Sequence, residues 1–233
     1  MPSKRVTKSK RRKNGYRRRR RMRRSRAILS GFPQQKLVKM RYIDSNITLD
    51  PAAGLYSGHA FRANSVYDPD FTSVGHAPMS YSQWAAIYKK YTVLGAKITV
   101  TANASVSATV IPGYIGITLS GDSAPLSNYT SINNILESKL TTGGSTTLIS
   151  GFVNNSPYPA KITRYFSAKK FFGVKDVQDG ASLSADVNSN PAKDAYFSVW
   201  CASIDGNNPG SVSLKVMIDY IVLFREPQNL DGS

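Results

Sequence analysis

Five consecutive arginines, Arg17, Arg18, Arg19, Arg20 and Arg21, follow Lys10, Arg11, Arg12 and Lys13 and precede Arg23, Arg24 and Arg26. A guanidinium is a planar fork of donors matched to phosphate oxygens. Packed this densely, such groups bind a nucleic-acid backbone with little reading of its sequence. Fifteen of the 31 lysines and arginines lie in residues 1–26, and the first acidic residue is Asp44. Residues 27–233 hold the other 16 cations and all 14 acidic residues, so the formal charge of +17 divides into +15 on an arm and +2 on a body. The arm repels itself and has almost nothing apolar to bury, so it is expected to stay disordered until a polyanion neutralises it. Tyr16 either stacks on a base or stands in solvent. The run also suits a nuclear localisation signal, which is compatible with nucleic-acid binding. It lacks the interleaved apolar face of a mitochondrial transit peptide, and AILSGF after it is too short for the core of a secretory signal.

A second basic stretch, KITRYFSAKKFFGVKD (161–176), interleaves Lys161, Arg164, Lys169, Lys170 and Lys175 with Tyr165, Phe166, Phe171 and Phe172. Cations beside aromatic rings suit single-stranded nucleic acid, through phosphate contacts and base stacking. The competing reading turns the phenylalanines into the core or a subunit contact and leaves the cations merely exposed. The adjacent Lys169 and Lys170 concentrate positive potential on either reading, and they join the arm residues as candidate nucleic-acid contacts.

Other chemistry is sparse. His59 and His76 are far apart and have no cysteine pairs beside them, so no zinc spacing arises. There is no glycine-rich phosphate loop and no nucleophile elbow. Cys201, the single cysteine, lies in an apolar run and reads as a small core residue. Asp68 and Asp70 flank Pro69. Such a pair holds Ca²⁺ between subunits or, more simply, forms a turn in which Asp68 caps its own backbone. Nothing supports catalysis, and no cofactor or metal is expected. No window of about 18 apolar residues exists to span a membrane. Four glycosylation sequons, at Asn46, Asn103, Asn128 and Asn154, read as chance products of an Asn/Ser/Thr-rich chain.

The elements that must carry these residues are strands. In VSLKVMIDYIVLF (212–224), Val212, Leu214, Val216, Ile218, Tyr220, Val222 and Phe224 fall on one face, the period of two of a half-buried strand. AYFSVWCASI (195–204) is apolar on both faces. Val38, Met40 and Tyr42 alternate with Lys39 and Arg41 in a strand over 37–43. Further strands are expected at about 55–66, 91–103, 110–119, 145–153 and 160–168, separated by GDSAP, TTGG, NNSPYP and DGNNPG turns. That makes an all-β chain with a sandwich or jelly roll over residues 27–233. One helix is expected over 79–91. Ser80 would be its N-cap in a capping box with Gln83, Met79 and Trp84 its hydrophobic staple, and Trp84, Ile87, Tyr88 and Tyr91 its apolar face. A second helical turn is expected at 131–138.

The arm, SGFPQQKLVKMRYIDSNITL, the block ANSVYDPDFTSVGHAPMSYSQWAAIYKKYTVLGAKITV (63–100) and the later KKFFGVKD together resemble the capsid proteins of circovirus-like viruses. These are circular single-stranded DNA viruses that encode a rolling-circle replication initiator. The chain is more similar to capsids of uncultured relatives than to the porcine type. The resemblance implies a single eight-stranded jelly roll and self-assembly into a small icosahedral shell. It implies an arm facing packaged single-stranded DNA and import of the protein into the host nucleus by import receptors. With no apolar window long enough to span a membrane, no membrane insertion is expected. A minimal closed shell takes on the order of 60 copies, and their arms would bring about 900 positive charges, suited to a genome of roughly one to two thousand nucleotides. On the residues alone, an RNA-virus coat protein and a cellular nucleic-acid-binding protein with a basic tail remain open.

Overall fold

A computed structural model describes residues 31–51, 56–104, 113–138, 146–149, 160–178, 180–203 and 211–228. The arm, residues 1–26, lies outside the described residues. From Phe32 onward the chain forms one compact unit.

The strands run in chain order as β1 (Gln35–Leu49), β2 (Tyr56–Arg62), β3 (Tyr88–Ala104), β4 (Gly113–Ser120), β5 (Thr146–Ile149), β6 (Ala160–Ser167), β7 (Ser184–Asp186), β8 (Tyr196–Ser203) and β9 (Val212–Pro227). Among the described residues, three short helices, α1 (Tyr81–Ile87), α2 (Ile132–Glu137) and α3 (Ala168–Phe171), and a 3-10 turn at Ala181–Leu183 complete the set. One sheet has the order β1-β9-β3-β6, with β7 also on β3, and the other has the order β2-β8-β4-β5. Every pairing is antiparallel. Apart from the short β7, the first four strands meet the last four in reverse order: β1 with β9, β2 with β8, β3 with β6, β4 with β5. That is a long hairpin wound into two sheets, a jelly roll.

Alternation decides which face of each strand enters the core. On β9, Val212, Leu214, Val216, Ile218, Tyr220, Val222 and Phe224 are all buried, as the periodicity predicts. Met40, Tyr42, Ile98 and Val100 meet them from the neighbouring strands of the same sheet, and Phe61, Ile115, Ile117, Phe197 and Val199 come from the opposite sheet. β8 is buried along its whole length. Its second face is covered by the connection after β4, where Leu126 and Ile135 pack on Trp200 and Ala202 as a separate cluster.

β1 extends beyond the expected 37–43, and a register shift between Asp44 and Ile47 lets it continue to Leu49. There the Asp44 side chain accepts from the Asn46 backbone N–H at 2.9 Å. The expected strand at 145–153 is described only over Thr146–Ile149.

The helix over 79–91 is the main correction. α1 covers seven residues, and β3 begins directly at Tyr88. Ser80 has φ 69° and its side chain makes no capping bond, so no capping box forms. Met79 is 86% exposed, so no staple forms either. Tyr88 and Tyr91 pair instead with Pro227 and Phe224 of β9. The Tyr91 hydroxyl lies 2.9 Å from Ser189 O and 2.9 Å from Ser65 Oγ. Strand pairing plus these buried hydroxyl bonds outweighs the local helix signal. Trp84 still reaches the core, its ring stacked 5.8 Å from Phe224 at 20°. The second expected turn is α2, capped by Ser131 Oγ, which accepts from Asn133 N at 3.2 Å. α3 and β7 have no counterpart in the sequence reading.

Candidate nucleic-acid interface

β6 and α3 carry the second basic stretch. Alternation along β6 turns Ile162 and Phe166 inward and sends Lys161 and Tyr165 out. Arg164 shares the inward face and is half-buried, and that desolvation lowers its pKa. α3 then folds Phe171 and Phe172 back, edge-on to Phe166 at 5.6 and 6.2 Å. The three phenylalanines therefore belong to the core and its margin, not to a stacking surface. Lys169 and Lys170, in the last turn of α3, are exposed. Tyr165 is the aromatic ring of this stretch left in solvent, 67% exposed.

Register then brings together residues that the sequence holds far apart. On the outward face of the first sheet, Arg41 of β1 stands opposite Asp219 of β9, Asp219 opposite Lys97 of β3, and Lys97 opposite Tyr165 of β6. Arg41 Nε donates to Asp219 Oδ1 at 2.6 Å. Lys97 Nζ sits 5.5 Å from the centre of the Tyr165 ring, within cation–π range. The next row places Lys39 opposite Ile221, and Ile221 opposite Gly95. Lys161 and Lys215 extend the same face, one on each side of Thr101. The result is a solvent-facing sheet surface that carries five cations and the carboxylate of Asp219. The sequence reading noted Lys39 and Arg41 only as the polar side of a strand and did not single out Lys97. The signal was the recurrence of cations at outward positions, but only the register aligns them.

The other candidate groups have structural partners. Asp68 Oδ2 accepts from Arg62 Nη1 at 2.7 Å and from Ser73 Oγ at 3.2 Å. Asp70 Oδ1 accepts from Thr72 N at 2.9 Å and lies 2.9 Å from His59 Nε2. The backbone-capping carboxylate of this turn is thus Asp70, where the sequence suggested Asp68, because Arg62 claims Asp68. His76 bonds the Ala77 and Ile43 carbonyls and packs on Tyr42 at 4.9 Å. Cys201 is buried, and burial pushes its thiol up to about 12. Among the described residues, no three of His, Cys, Asp and Glu gather as a metal site would require.

No protein-family model and no curated protein matches the chain. Solved structures similar in fold include a semi-empty virus-like particle of the giant freshwater prawn Macrobrachium rosenbergii nodavirus. It is 10% identical, with 85% of this chain and 97% of that one covered and a TM-score of 0.44. The decameric BFDV capsid protein is 9% identical, with 82% and 99% covered and a TM-score of 0.42. The empty head of turnip yellow mosaic virus is 10% identical, with 90% of each chain covered and a TM-score of 0.41. The jelly-roll assignment rests on the strand order and register above, not on these likenesses.

Proposed function

We propose that the chain is a viral capsid protein that self-assembles into a small icosahedral shell, on the order of 60 copies, and packages single-stranded circular DNA. It acts as a structural protein, not an enzyme. The observation that carries this reading is the division of charge: an arm at +15 joined to a jelly-roll body at +2. A nearly neutral body approaches its own copies without large repulsion, while the arm binds phosphate through Lys10 to Lys13, Arg17 to Arg21, Arg23, Arg24 and Arg26. Lys169 and Lys170 add a second set of contacts. DNA is favoured over RNA by the resemblance of residues 63–100 to circovirus-like capsids. The same arm serves as a nuclear localisation signal, so assembly takes place in the host nucleus with the help of import receptors.

Negative-stain microscopy of the purified full-length protein, with absorbance at 260 and 280 nm on the same sample, tests the reading. Uniform closed particles are expected, containing nucleic acid that, once extracted, DNase and not RNase degrades. Monomers that bind added nucleic acid without closing would assign a cellular binding protein instead, and an RNase-sensitive cargo would assign an RNA-virus coat protein. Deleting residues 1–26 is expected to abolish nucleic-acid retention. Retention by the truncated protein at unchanged salt sensitivity would remove the arm from the binding role.

A further inference from the structure

The outward face of the β1-β9-β3-β6 sheet holds an open groove of about 640 Å³. Its floor and walls include Lys39, Arg41, Lys97, Tyr165, Asp219 and Ile221. We propose that this groove is a nucleotide subsite for single-stranded nucleic acid: Tyr165 stacks one base while Lys39, Arg41 and Lys97 take the adjoining phosphates. The inference rests on the packaging reading above and extends it from the arm to the folded body.

Three observations converge. Three cations surround the groove against one carboxylate, so the charge is complementary to a phosphate backbone. That carboxylate, Asp219, is engaged on Oδ1 by Arg41 Nε, and the Arg41 side chain stays largely exposed. Tyr165 is two-thirds exposed beside Lys97, a ring free to stack with a cation within 5.5 Å of its centre. Ile221, 39% exposed, adds an apolar patch against which a base plane can rest. Strands hold all of these groups, so the spacing is set before the ligand arrives. A duplex keeps its base faces stacked on one another, so the site selects a single strand.

Photocrosslinking tests it. The full-length protein is irradiated with a single-stranded oligonucleotide carrying 5-iododeoxycytidine, digested, and the adducts mapped by mass spectrometry. An adduct on Tyr165, reduced several-fold in a Lys39→Gln/Lys97→Gln variant, is the expected result. Tyr165→Ala is expected to weaken binding by about tenfold and Tyr165→Phe to leave it nearly unchanged. Adducts confined to residues 1–26 would overturn the subsite and leave the arm's role standing. Absence of binding anywhere would overturn both. If Tyr165 resists nitration by tetranitromethane in assembled particles emptied of nucleic acid, a second copy of the chain occupies the groove and the subsite is wrong.

Discussion

Trp200 lies directly over Gly116. A Cβ built on Gly116 would collide with the Cε2 and Cζ2 atoms of the indole ring. The two residues are cross-strand neighbours on β8 and β4, and Gly58 on β2 flanks Trp200 on the other side. The absence of side chains on both neighbours lets the indole, the largest fully buried side chain among the described residues, lie flat on the outer face of the sheet. Leu126 and Ile135 close over it there.

Gly116→Ala is therefore expected to destabilise the fold by about 1–3 kcal/mol through overpacking. Gly121→Ala, whose new carbon would meet nothing nearer than 3.9 Å, is the control and should be close to neutral. Denaturant midpoints of the two variants measure the difference. Equal midpoints would mean that the indole moves aside at no cost.

Asp68→Ala is expected to cost about 3 kcal/mol, because it strands the guanidinium of Arg62, whose side chain is only 10% exposed. Arg62 Nη1 retains the Asp68 and Asp70 carbonyls, so the loop should stay in place while its charge goes uncompensated. Asp68→Asn keeps an acceptor and should cost less than half as much. A thermal melt that does not separate the two substitutions would assign the loss to shape rather than charge.

Stability is expected to fall in alkali. Burial, with a smaller contribution from Asp194, raises Tyr196 from 10.0 to about 12. Burial raises Tyr42, Tyr81, Tyr91 and Tyr220 further still. Below pH 10 these phenols are protonated in both folded and unfolded chains, and their full contribution is present. Above it the unfolded chain gives up its protons first, so stability drops as the pH climbs from about 10 towards 12. Cys201 acts in the same sense from its ordinary 9.0 upward, and its thiol should resist iodoacetamide at pH 8 until the protein unfolds. A denaturant midpoint that stays constant from pH 8 to pH 11.5 would contradict this account.

Replacing Lys169 and Lys170 with alanine is expected to weaken single-stranded DNA binding evenly across sequences. The slope of log affinity against log salt should fall by about 0.7 for each lysine that touches phosphate. Both side chains are exposed on α3, so the fold should be unaffected. An unchanged slope would show that they make no phosphate contact.

The sequence by itself determined the charge division at residue 26 and the strand faces of β9, β8 and the first half of β1. Both are local properties: charge is counted along the chain, and alternation follows from the geometry of an extended backbone. The helical turn expected at 131–138 is also there as α2, and the structure adds its Ser131 cap. The tertiary structure decided what depends on partners distant in sequence. It ended α1 at Ile87, because Tyr88 and Tyr91 gain more from pairing with β9 than from a helix face that no capping box anchors. It turned Phe166 into the core with Phe171 and Phe172 packed at its margin, and left Tyr165 in solvent. Above all it set Arg41, Asp219, Lys97 and Tyr165 in one row across four strands. Alternation fixes the face on which each residue lies. Only the closure of the whole winding, with its bulges at Asp44/Ile47 and Val93/Gly95, fixes which residues stand side by side.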